Sequence, residues 1–288
     1  MRNEPMQLKN HDTQAGSGQV HLLLKEETTL PVEAEGIRPD AFKSMTRSEI
    51  ENLPIYRGNK TLRLKDLFKV EGEKSDQVVV QGRLEHFKKI GAGMTAGCLT
   101  VQGDVGPRLA QGMKGGRVTV LGNAGDRAGQ DMSGGRIWIK GSAGHQVGGA
   151  APGQKKGMNK GLIIVEGDAG RDLGLAMRRG LIVVLGDVGD YAGSRMIAGT
   201  ILAFGNLGRR AGAGMKRGSI VALGPRPSLL PTFEFECRYQ PVFLRFIIKQ
   251  LKEAGLPLPI EVDCGQFSRY TGDMNTINKG EILIHETA

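Results

Sequence analysis

The chain has few of the residues that usually mark a catalytic or metal-binding site. Its 288 residues include three cysteines, one tryptophan, four tyrosines and five histidines. Cys98, Cys237 and Cys264 are scattered, which argues against a zinc site and against disulfide staples and is typical of a reduced cytoplasm. No histidines have metal-ligand spacing, no serine or cysteine is framed as a nucleophile, and no GxxxxGKS/T phosphate loop occurs. The sequence therefore predicts no catalytic, cofactor-binding or metal-binding residue in this chain.

Long apolar runs are missing as well. No stretch is long and apolar enough to span a membrane, and the first residues lack a signal-peptide pattern. Residues 1–20 are polar and predict disorder. We expect a cytoplasmic protein that makes no membrane contact.

Glycine is abundant, by contrast, and recurs with methionine at a fixed spacing. Each of seven methionines is followed by glycine after three and after nine residues, and five of the six intervals between them are 19 residues. The exception is an interval of 26 from Met132 to Met158. Between the two glycines, two apolar residues flank another residue, which predicts a short strand with one apolar face. The methionines are Met94, Met113, Met132, Met158, Met177, Met196 and Met215.

A repeat of this length predicts stacked, equivalent coils. A helix is excluded because each interior glycine would cost it up to about 1 kcal/mol relative to alanine. We therefore predict a mainly β fold, a right-handed parallel β-helix of about seven 19-residue coils. The methionines would form an internal column. A metal-binding or ligand-binding role for them is the weaker hypothesis, because nothing nearby supplies hard or charged ligands.

Composition marks the ends of the repeat. Of the 44 glycines, 34 lie between Gly91 and Gly224. The predicted organisation is a disordered segment (1–20), an α/β lead-in (21–77), the repeat domain (78–224) and a C-terminal cap (225–288). The cap includes an amphipathic helix over residues 241–254. Its apolar residues would cover the end of the repeat or dock on a partner, and they are Val242, Phe243, Phe246, Ile247 and Leu251.

The formal charge of +9 resides in the repeat. Residues 94–224 hold 17 Lys and Arg against 8 Asp and Glu, whereas the flanks hold 22 of each. Five cations fall at the turn opposite the methionines, which we call the opposite turn: Arg108, Arg127, Arg171, Arg209 and Arg210. Stacked like charges repel within a Debye length, so such a stripe is more stable when it faces an acidic surface. Eleven more lie close to the methionines and are named the corner cations: Lys114, Arg117, Arg136, Lys155, Lys156, Lys160, Arg178, Arg179, Arg195, Lys216 and Arg217.

Three interpretations of the stripe that the corner cations form are open. It is a solvated basic edge, or a contact with acidic partner subunits or an anionic substrate chain, or a nucleic-acid site. The last is disfavoured because the repeat lacks aromatic residues that would stack on bases. The seven-residue insertion within residues 147–157 is a candidate docking loop, with His145, Lys155 and Lys156 beside it, although a tolerated surface insertion explains it equally well. The glycines of residues 91–97 resemble a dinucleotide fingerprint but are interpreted as coil turns.

This glycine-rich ladder, between a short α/β lead-in and a C-terminal helix, resembles the C subunit of formylmethanofuran dehydrogenase over roughly residues 40–285. That subunit is similar in turn to the C-terminal β-helix domain of glutamate synthase large subunits, and the repeats alone do not separate the two. A chain of 288 residues with these ends favours the dehydrogenase subunit. The tail segments RYTGD (269–273) and GEIL (280–283) resemble the bacterial branch, the C subunit of the formyltransferase/hydrolase complex.

The resemblance implies a place in a larger enzyme, beside subunits of the A, B and D types. In the bacterial complex, formyl groups move between tetrahydromethanopterin and a methanofuran-type carrier, and formate is released. The archaeal complex interconverts CO2 and formylmethanofuran. Zinc or another divalent metal, and the molybdopterin or tungstopterin of the dehydrogenase version, would belong to other subunits, so no cofactor is expected on this chain. A carrier that bears glutamates would suit the corner cations.

Whether the chain is itself an enzyme stays open. The first hypothesis is a structural scaffold subunit without an active site, in a complex that runs either hydrolytically or as a dehydrogenase. The second is a self-contained acyltransferase acting between stacked coils of a trimer, for which His145 is the one candidate catalytic histidine. The third is a stand-alone module that binds polyanions. Nucleic acid and membranes are not expected partners.

Overall fold

The structure, a computed structural model, describes residues 18–256, 258 and 265–286. Disorder is predicted for residues 1–20, and residues 1–17 of that segment lie outside the described residues. Its last residue, Val20, already begins a strand. In the described part the fold is mainly β with few helical residues, as predicted. The elements are β1 (Val20–Leu24), β2 (Val32–Glu33), α1 (Pro39–Phe42), α2 (Arg47–Glu51), β3 (Pro54–Arg57), β4 (Lys60–Arg63), α3 (Leu64–Leu67), β5 (Phe68–Glu71), β6 (Gln77–Gln81), β7 (Phe87–Lys88), β8 (Cys98–Gln102), β9 (Arg117–Val120), β10 (Arg136–Ile139), β11 (Leu162–Val165), β12 (Leu181–Val184), β13 (Thr200–Ala203), β14 (Arg217–Ala222), β15 (Glu234–Tyr239), α4 (Val242–Glu253), β16 (Gln266–Gly272) and β17 (Lys279–Glu286).

One large, mostly parallel sheet organises the chain. Its strand order is β15-β16-β17-β14-β13-β12-β11-β10-β9-β8-β6-β1-β5. Each repeat strand pairs in parallel with the next, and equivalent positions face each other, so Val118 pairs with Ile137 and Ile137 with Ile163. The longer interval does not disturb this register. The predicted parallel stacking of equivalent repeat positions is therefore confirmed.

A second ladder runs through the turn that follows each repeat strand. Single parallel bridges join Val105 to Ala124, Ala124 to Ala143, and so on to Leu207. The chain thus passes through the same two ladders in every repeat. The inward-facing apolar residues of both ladders and the methionines form one continuous core, which we name the inner core.

The methionines line the inner core as a fully buried column. All seven have no exposed surface, which confirms their predicted internal position. Each methyl group packs under the glycine of the following repeat: a β-carbon placed on Gly135 would lie 2.6 Å from Met113 Cε and 2.9 Å from the Gly116 carbonyl oxygen. Any side chain there would collide with both atoms. The spacing of three between methionine and glycine follows from this contact.

A ladder of polar side chains stabilises the turns. The side-chain oxygen of one repeat accepts the backbone N–H of the next, as Asp168 Oδ1 does from Asp187 at 2.7 Å and Asp187 Oδ1 from Asn206 at 2.7 Å. Six residues form the ladder, Asp104, Asn123, Ser142, Asp168, Asp187 and Asn206. Such side chains close turns by satisfying backbone donors, which explains why this position is always Asp, Asn or Ser.

Stability should depend on pH through this ladder. The backbone N–H of Asn206, and then its side chain, lower the pKa of Asp187 below the ordinary 3.8. A lowered folded-state pKa gives stability that is complete above 3.8 and is lost as the pH falls through the folded value. We expect Asp187→Ala to lower the urea midpoint at pH 7 and to match the wild type more closely at pH 2.5. Asp187→Asn keeps the acceptor oxygen and is the control; an Ala deficit of equal size at both pH values would contradict the prediction.

Helix α4 covers the other side of the sheet. Its buried residues Leu244, Ile248 and Leu251 pack on outward-facing residues of β11 to β14, such as Ile164 and Leu202, and form a second apolar cluster, the outer core. The repeat strands beneath the helix are consequently apolar on both faces.

The predicted helix is confirmed, but of the two roles expected for its apolar face, covering the end of the repeat is not observed and docking on a partner stays a prediction. Val242 is 74% exposed and Phe246 is 60% exposed, and neither covers the repeat. Of the five residues expected to do so, Leu251 is buried and Ile247 is partly buried. The reason is that α4 lies along the sheet face, where the i, i+4, i+7 set led by Leu244 meets the apolar strands. The last repeat strand, β14, is instead followed in the sheet by β17, β16 and β15.

Candidate functional site

The corner cations lie along one corner of the repeat with their charges unpaired. Among the described residues, no carboxylate lies within 4.0 Å of any of the eleven side chains, and none of them donates a hydrogen bond. Arg117, Arg136 and Arg178 are partly buried, whereas the other eight are exposed. The corner is therefore a cationic surface that the described part of the chain does not neutralise.

The repeat places these side chains in columns. Backbone hydrogen bonds at the corner repeat with the methionines: the N–H of Arg178 donates to Met158 O at 2.8 Å, and the N–H of Lys216 donates to Met196 O at 2.7 Å. One column follows a methionine by one residue and holds Lys114, Arg178 and Lys216. A second follows by two residues and holds Lys160, Arg179 and Arg217, and a third follows by four residues and holds Arg117 and Arg136. Arg195 precedes Met196, and the insertion holds Lys155 and Lys156.

Three corner cations share one groove. Arg117, Arg136 and Lys160 line an open groove of about 690 Å³ that crosses the starts of β6 and β8 to β11. Its remaining lining residues are neutral, Gln77, Gly97, Cys98, Gly116, Gly135, Gly161 and Leu162. The structure thus joins cations that lie 43 residues apart in the sequence into one surface, which we name the cationic groove.

The two arginines of the groove are stacked. Arg117 on β9 and Arg136 on β10 are register partners in adjacent parallel strands, which lie about 4.8 Å apart. Burial, and then the positive charge of Arg117, lower the pKa of Arg136 below its ordinary value. Two cations at adjacent register positions, without a counter-charge among the described residues, repel each other, and a bound carboxylate would offset both this repulsion and the cost of burial.

Four of the five cations at the opposite turn are, by contrast, engaged within the chain. Arg209 lies 3.7 Å from Asp190, and the guanidiniums of Arg171 and Arg210 lie 5.9 and 5.4 Å from the centre of the Tyr191 ring. These contacts distinguish the two edges that the sequence alone leaves equivalent. The corner is the edge with charge available for another molecule.

The insertion in the third coil projects from the repeat. Residues 152–156 are exposed, including Lys155 and Lys156. Its two ends are fixed to the following repeat, because the N–H of Ala150 donates to Leu175 O at 3.0 Å and that of Gly157 to Ala176 O at 2.9 Å. The insertion therefore lies at the surface, and its role as a docking loop stays a prediction.

His145 has a structural position in the turn. Its Nδ1 accepts the backbone N–H of Arg171 at 3.0 Å, and its own N–H donates to Asp126 Oδ1 at 2.7 Å. Asp190 makes the equivalent contact to Arg209. A general base needs a free lone pair on the ring, and here the Nδ1 lone pair is occupied by a backbone donor, so Nε2 carries the hydrogen of the neutral ring. This geometry weakens the acyltransferase hypothesis.

Three residues near the groove were missed in the sequence. Trp138 Nε1 donates to Glu166 Oε1 at 2.7 Å, and Lys140 Nζ lies 2.6 Å from the same oxygen and 4.0 Å from the Trp138 ring centre. Glu166 is thereby neutralised locally. The alternation of β10 places Trp138 and Lys140 with Arg136 on one face, which was a usable signal. Glu166 lies in the following repeat, and only the register brings it there.

Neither a cluster of metal ligands nor a membrane-spanning helix is found among the residues that the structure describes. No three His, Cys, Asp or Glu side chains converge there as metal ligands would. Across the same residues, every helix is too short or too polar to cross a bilayer.

Comparison with known proteins gives three kinds of match. Residues 117–253 match the family profile described as the GXGXG motif. The C subunit of the tungsten-containing formylmethanofuran dehydrogenase 2 of Methanothermobacter thermautotrophicus is 40% identical over 92 residues, which is 30% of this chain and 34% of that protein. The C subunit of the molybdenum-containing formylmethanofuran dehydrogenase 1 from the same organism is 40% identical over 90 residues, or 31% and 22%. The match therefore spans about a third or less of these relatives.

A solved structure matches over nearly the whole chain. It is a chain in the crystal structure of the formyltransferase/hydrolase complex from Methylorubrum extorquens in complex with methylofuran, with 36% identity and a TM-score of 0.84. The match covers 93% of this chain and 100% of that one. The stacked repeats and the family profile first define a GXGXG-motif repeat protein. The chain belongs, within that class, to the family of C subunits of formylmethanofuran dehydrogenases and of the formyltransferase/hydrolase complex.

Proposed function

We propose that this chain is a structural, non-catalytic subunit of a formyltransferase/hydrolase complex. That complex would move formyl groups between tetrahydromethanopterin and a methanofuran-type carrier and release formate, beside subunits of the A, B and D types. The observation that carries the proposal is the match over the full length of a chain from such a complex. The position of His145 adds support, because its Nδ1 accepts a backbone N–H of the turn.

The architecture belongs to the same proposal. We infer that the repeat closes as a right-handed parallel β-helix of about seven coils over residues 78–224, between an α/β lead-in and a C-terminal cap. The two parallel ladders in every repeat support it, and parallel crossovers are nearly always right-handed. A cytoplasmic location is in keeping with the free thiols of Cys98 and Cys237, while Cys264 lies outside the described residues.

The alternative is the C subunit of a molybdenum or tungsten formylmethanofuran dehydrogenase, which the 40% identity to such subunits favours. Affinity purification of the tagged chain from its source distinguishes the two. We expect three larger subunits to co-elute, with formate release from formyl-tetrahydromethanopterin and no molybdenum or tungsten. A stoichiometric pterin-bound metal would establish the dehydrogenase version. A lone homotrimer with acyl-transfer activity would overturn both.

The corner cations are proposed to contact partner subunits or an anionic, glutamate-bearing carrier. Reversing Arg178, Arg179, Lys216 and Arg217 to glutamate should weaken assembly or raise the KM for the carrier about tenfold, since several unpaired cations would be lost from one surface. Steady-state kinetics and size-exclusion chromatography of the whole complex measure the two effects.

The matched control reverses four cations at the opposite turn, Arg108, Arg127, Arg209 and Arg210. It changes the net charge by the same amount, and three of the four already have partners within the chain. Unchanged assembly and unchanged kinetics in the first variant would remove the corner cations from the proposal. An equal loss in both variants would assign the effect to net charge.

A further inference from the structure

The outward face of the large sheet has two unlike halves. On β11 to β14, the residues that point away from the inner core are apolar and lie buried beneath α4. On β8 to β10, the same positions are mostly polar or cationic: one row holds Thr100, Thr119 and, at the border of the outer core, Trp138, and the other holds Cys98, Arg117 and Arg136. These residues stay partly exposed, and no described segment covers them. Helix α4 of the chain covers one half. Among the described residues, no helix covers the other half, which we name the bare half.

The bare half is positively charged and uncompensated. Arg117 and Arg136 are stacked without a described carboxylate within 4.0 Å, and Lys160 stands beside them in the cationic groove. The carboxylate next to this face, Glu166, is already held by Trp138 and Lys140. A partner with carboxylates at this face would gain the pairing energy that the chain itself does not use.

The bare half also offers apolar contact and a defined width. Leu121, which follows β9, is 52% exposed, and Trp138 packs at the border of the outer core. Three strands at a spacing of about 4.8 Å make a strip roughly 10–15 Å wide. One α-helix with its side chains is about 10 Å across. A single helix would fill the width of this strip, whereas a thin extended chain would occupy only the arginine row.

We propose that an acidic amphipathic helix of a partner subunit docks on this bare half, next to α4. Its carboxylates would pair with Arg117 and Arg136, and its apolar residues would pack on Leu121 and Trp138. The mode is a helix laid with one face on a complementary surface, which α4 already exemplifies on the adjoining strands. This proposal rests on the proposed function, because it requires that the chain works within a complex.

The first experiment measures binding to the subcomplex of the other subunits. Arg117→Glu/Arg136→Glu should raise its Kd at least tenfold, and the Kd of the wild type should rise with NaCl. Arg209→Glu/Arg210→Glu, the same charge change at the opposite turn, should stay within threefold of the wild type. Far-UV circular dichroism checks that both variants are folded.

The outcomes separate the two proposals. If the wild-type chain does not bind the subcomplex, the proposed function fails. If the wild type binds and the folded Arg117→Glu/Arg136→Glu variant binds equally well, the docking site alone is overturned. A variant that does not fold leaves the decision to the second experiment, which needs no change at either arginine.

The second experiment uses Cys98, which lines the groove. A Cys237→Ser/Cys264→Ser chain labelled at Cys98 with a benzophenone maleimide is assembled into the complex, irradiated and digested. Mass spectrometry should recover Cys98 joined to a partner-subunit peptide that is rich in Asp and Glu with helical spacing of its apolar residues. Cross-links only to the carrier, to a neutral or non-helical peptide, or to no partner in the assembled complex would each overturn the proposal.

Discussion

Replacing Gly116 with alanine is expected to cost about 3–4 kcal/mol of unfolding free energy, against about 1 kcal/mol for the same change at Gly112. Both glycines have left-handed backbone, with φ of 84° and 65°. They differ in their surroundings. A β-carbon on Gly116 would lie 2.5 Å from Met94 Cε and 2.7 Å from the Gly97 carbonyl oxygen, whereas nothing lies within 4 Å of one on Gly112.

The difference between the two variants isolates the packing cost. Backbone strain is common to both, and alanine restricts the unfolded chain equally in both. The Met94 methyl could rotate away, but the Gly97 carbonyl is part of the parallel ladder and accepts the N–H of Arg117 at 2.9 Å. Relieving the collision therefore means separating two coils.

Urea unfolding followed by far-UV circular dichroism measures both variants. The Gly116 variant should show the lower midpoint, and its deficit should be about 2–3 kcal/mol larger than that of the Gly112 variant. Equal deficits would show that the contact between methionine and glycine does not set the distance between coils.

Ile248→Asp is expected to cost about 4 kcal/mol, because it removes a buried side chain and places a charge in the outer core. Ile248 is 1% exposed and packs among apolar residues of α4 and the sheet. Phe246→Asp is the control on the same helix, since Phe246 is 60% exposed. We expect that variant to stay within about 0.5 kcal/mol of the wild type.

Hydrogen exchange and dye binding report where the loss occurs. Ile248→Asp should strip the amide protection from α4 and increase binding of an apolar dye, because the outward side chains of β11 to β14 become exposed. Phe246→Asp should change neither. Retained protection of α4 in the Ile248 variant would contradict the packing of this helix on the sheet.

Much of the fold could be predicted because the repeat imposes its own period. The methionine column and the parallel register follow from spacing, and both are confirmed. One further rung was missed: β17 joins β14 in parallel, with Gly280 opposite Gly218 and Ile282 opposite Ile220. The signal was present, since Gly280, Ile282 and Ile284 repeat the glycine and two apolar positions. No methionine precedes them at the usual distance, so they do not stand out.

The packing face of α4 could not be predicted from its own sequence. The helix carries apolar residues on two sides, one led by Val242 and Phe246 and the other by Leu244 and Ile248. The choice depends on what the sheet offers. Four consecutive apolar residues in β11, all buried, were the available sign that the outer face of those strands is covered.

The sequence could predict the candidate site only as columns of cations, without their partners. Spacing identifies which cations share a corner, but not which of them are neutralised, because the partners come from other repeats. Lys140 meets Glu166 from the next strand, and Arg209 meets Asp190 from the preceding turn. Arg117 and Arg136 have no such neighbour among the described residues, and only the three-dimensional register distinguishes them.

The contact between each methionine and the glycine of the next repeat gives all repeats the same spacing. Met158 packs on Gly180 and Met177 on Gly199 in the same way, so every junction has the same shape. Deleting residues 178–196 would bring Met177 onto Gly218 in the same form of methionine–glycine contact, while it removes β12 from beneath α4. Each repeat added or removed changes the separation of the two ends by about 4.8 Å. The number of repeats thus fixes how far apart two molecules bound at the opposite ends are held.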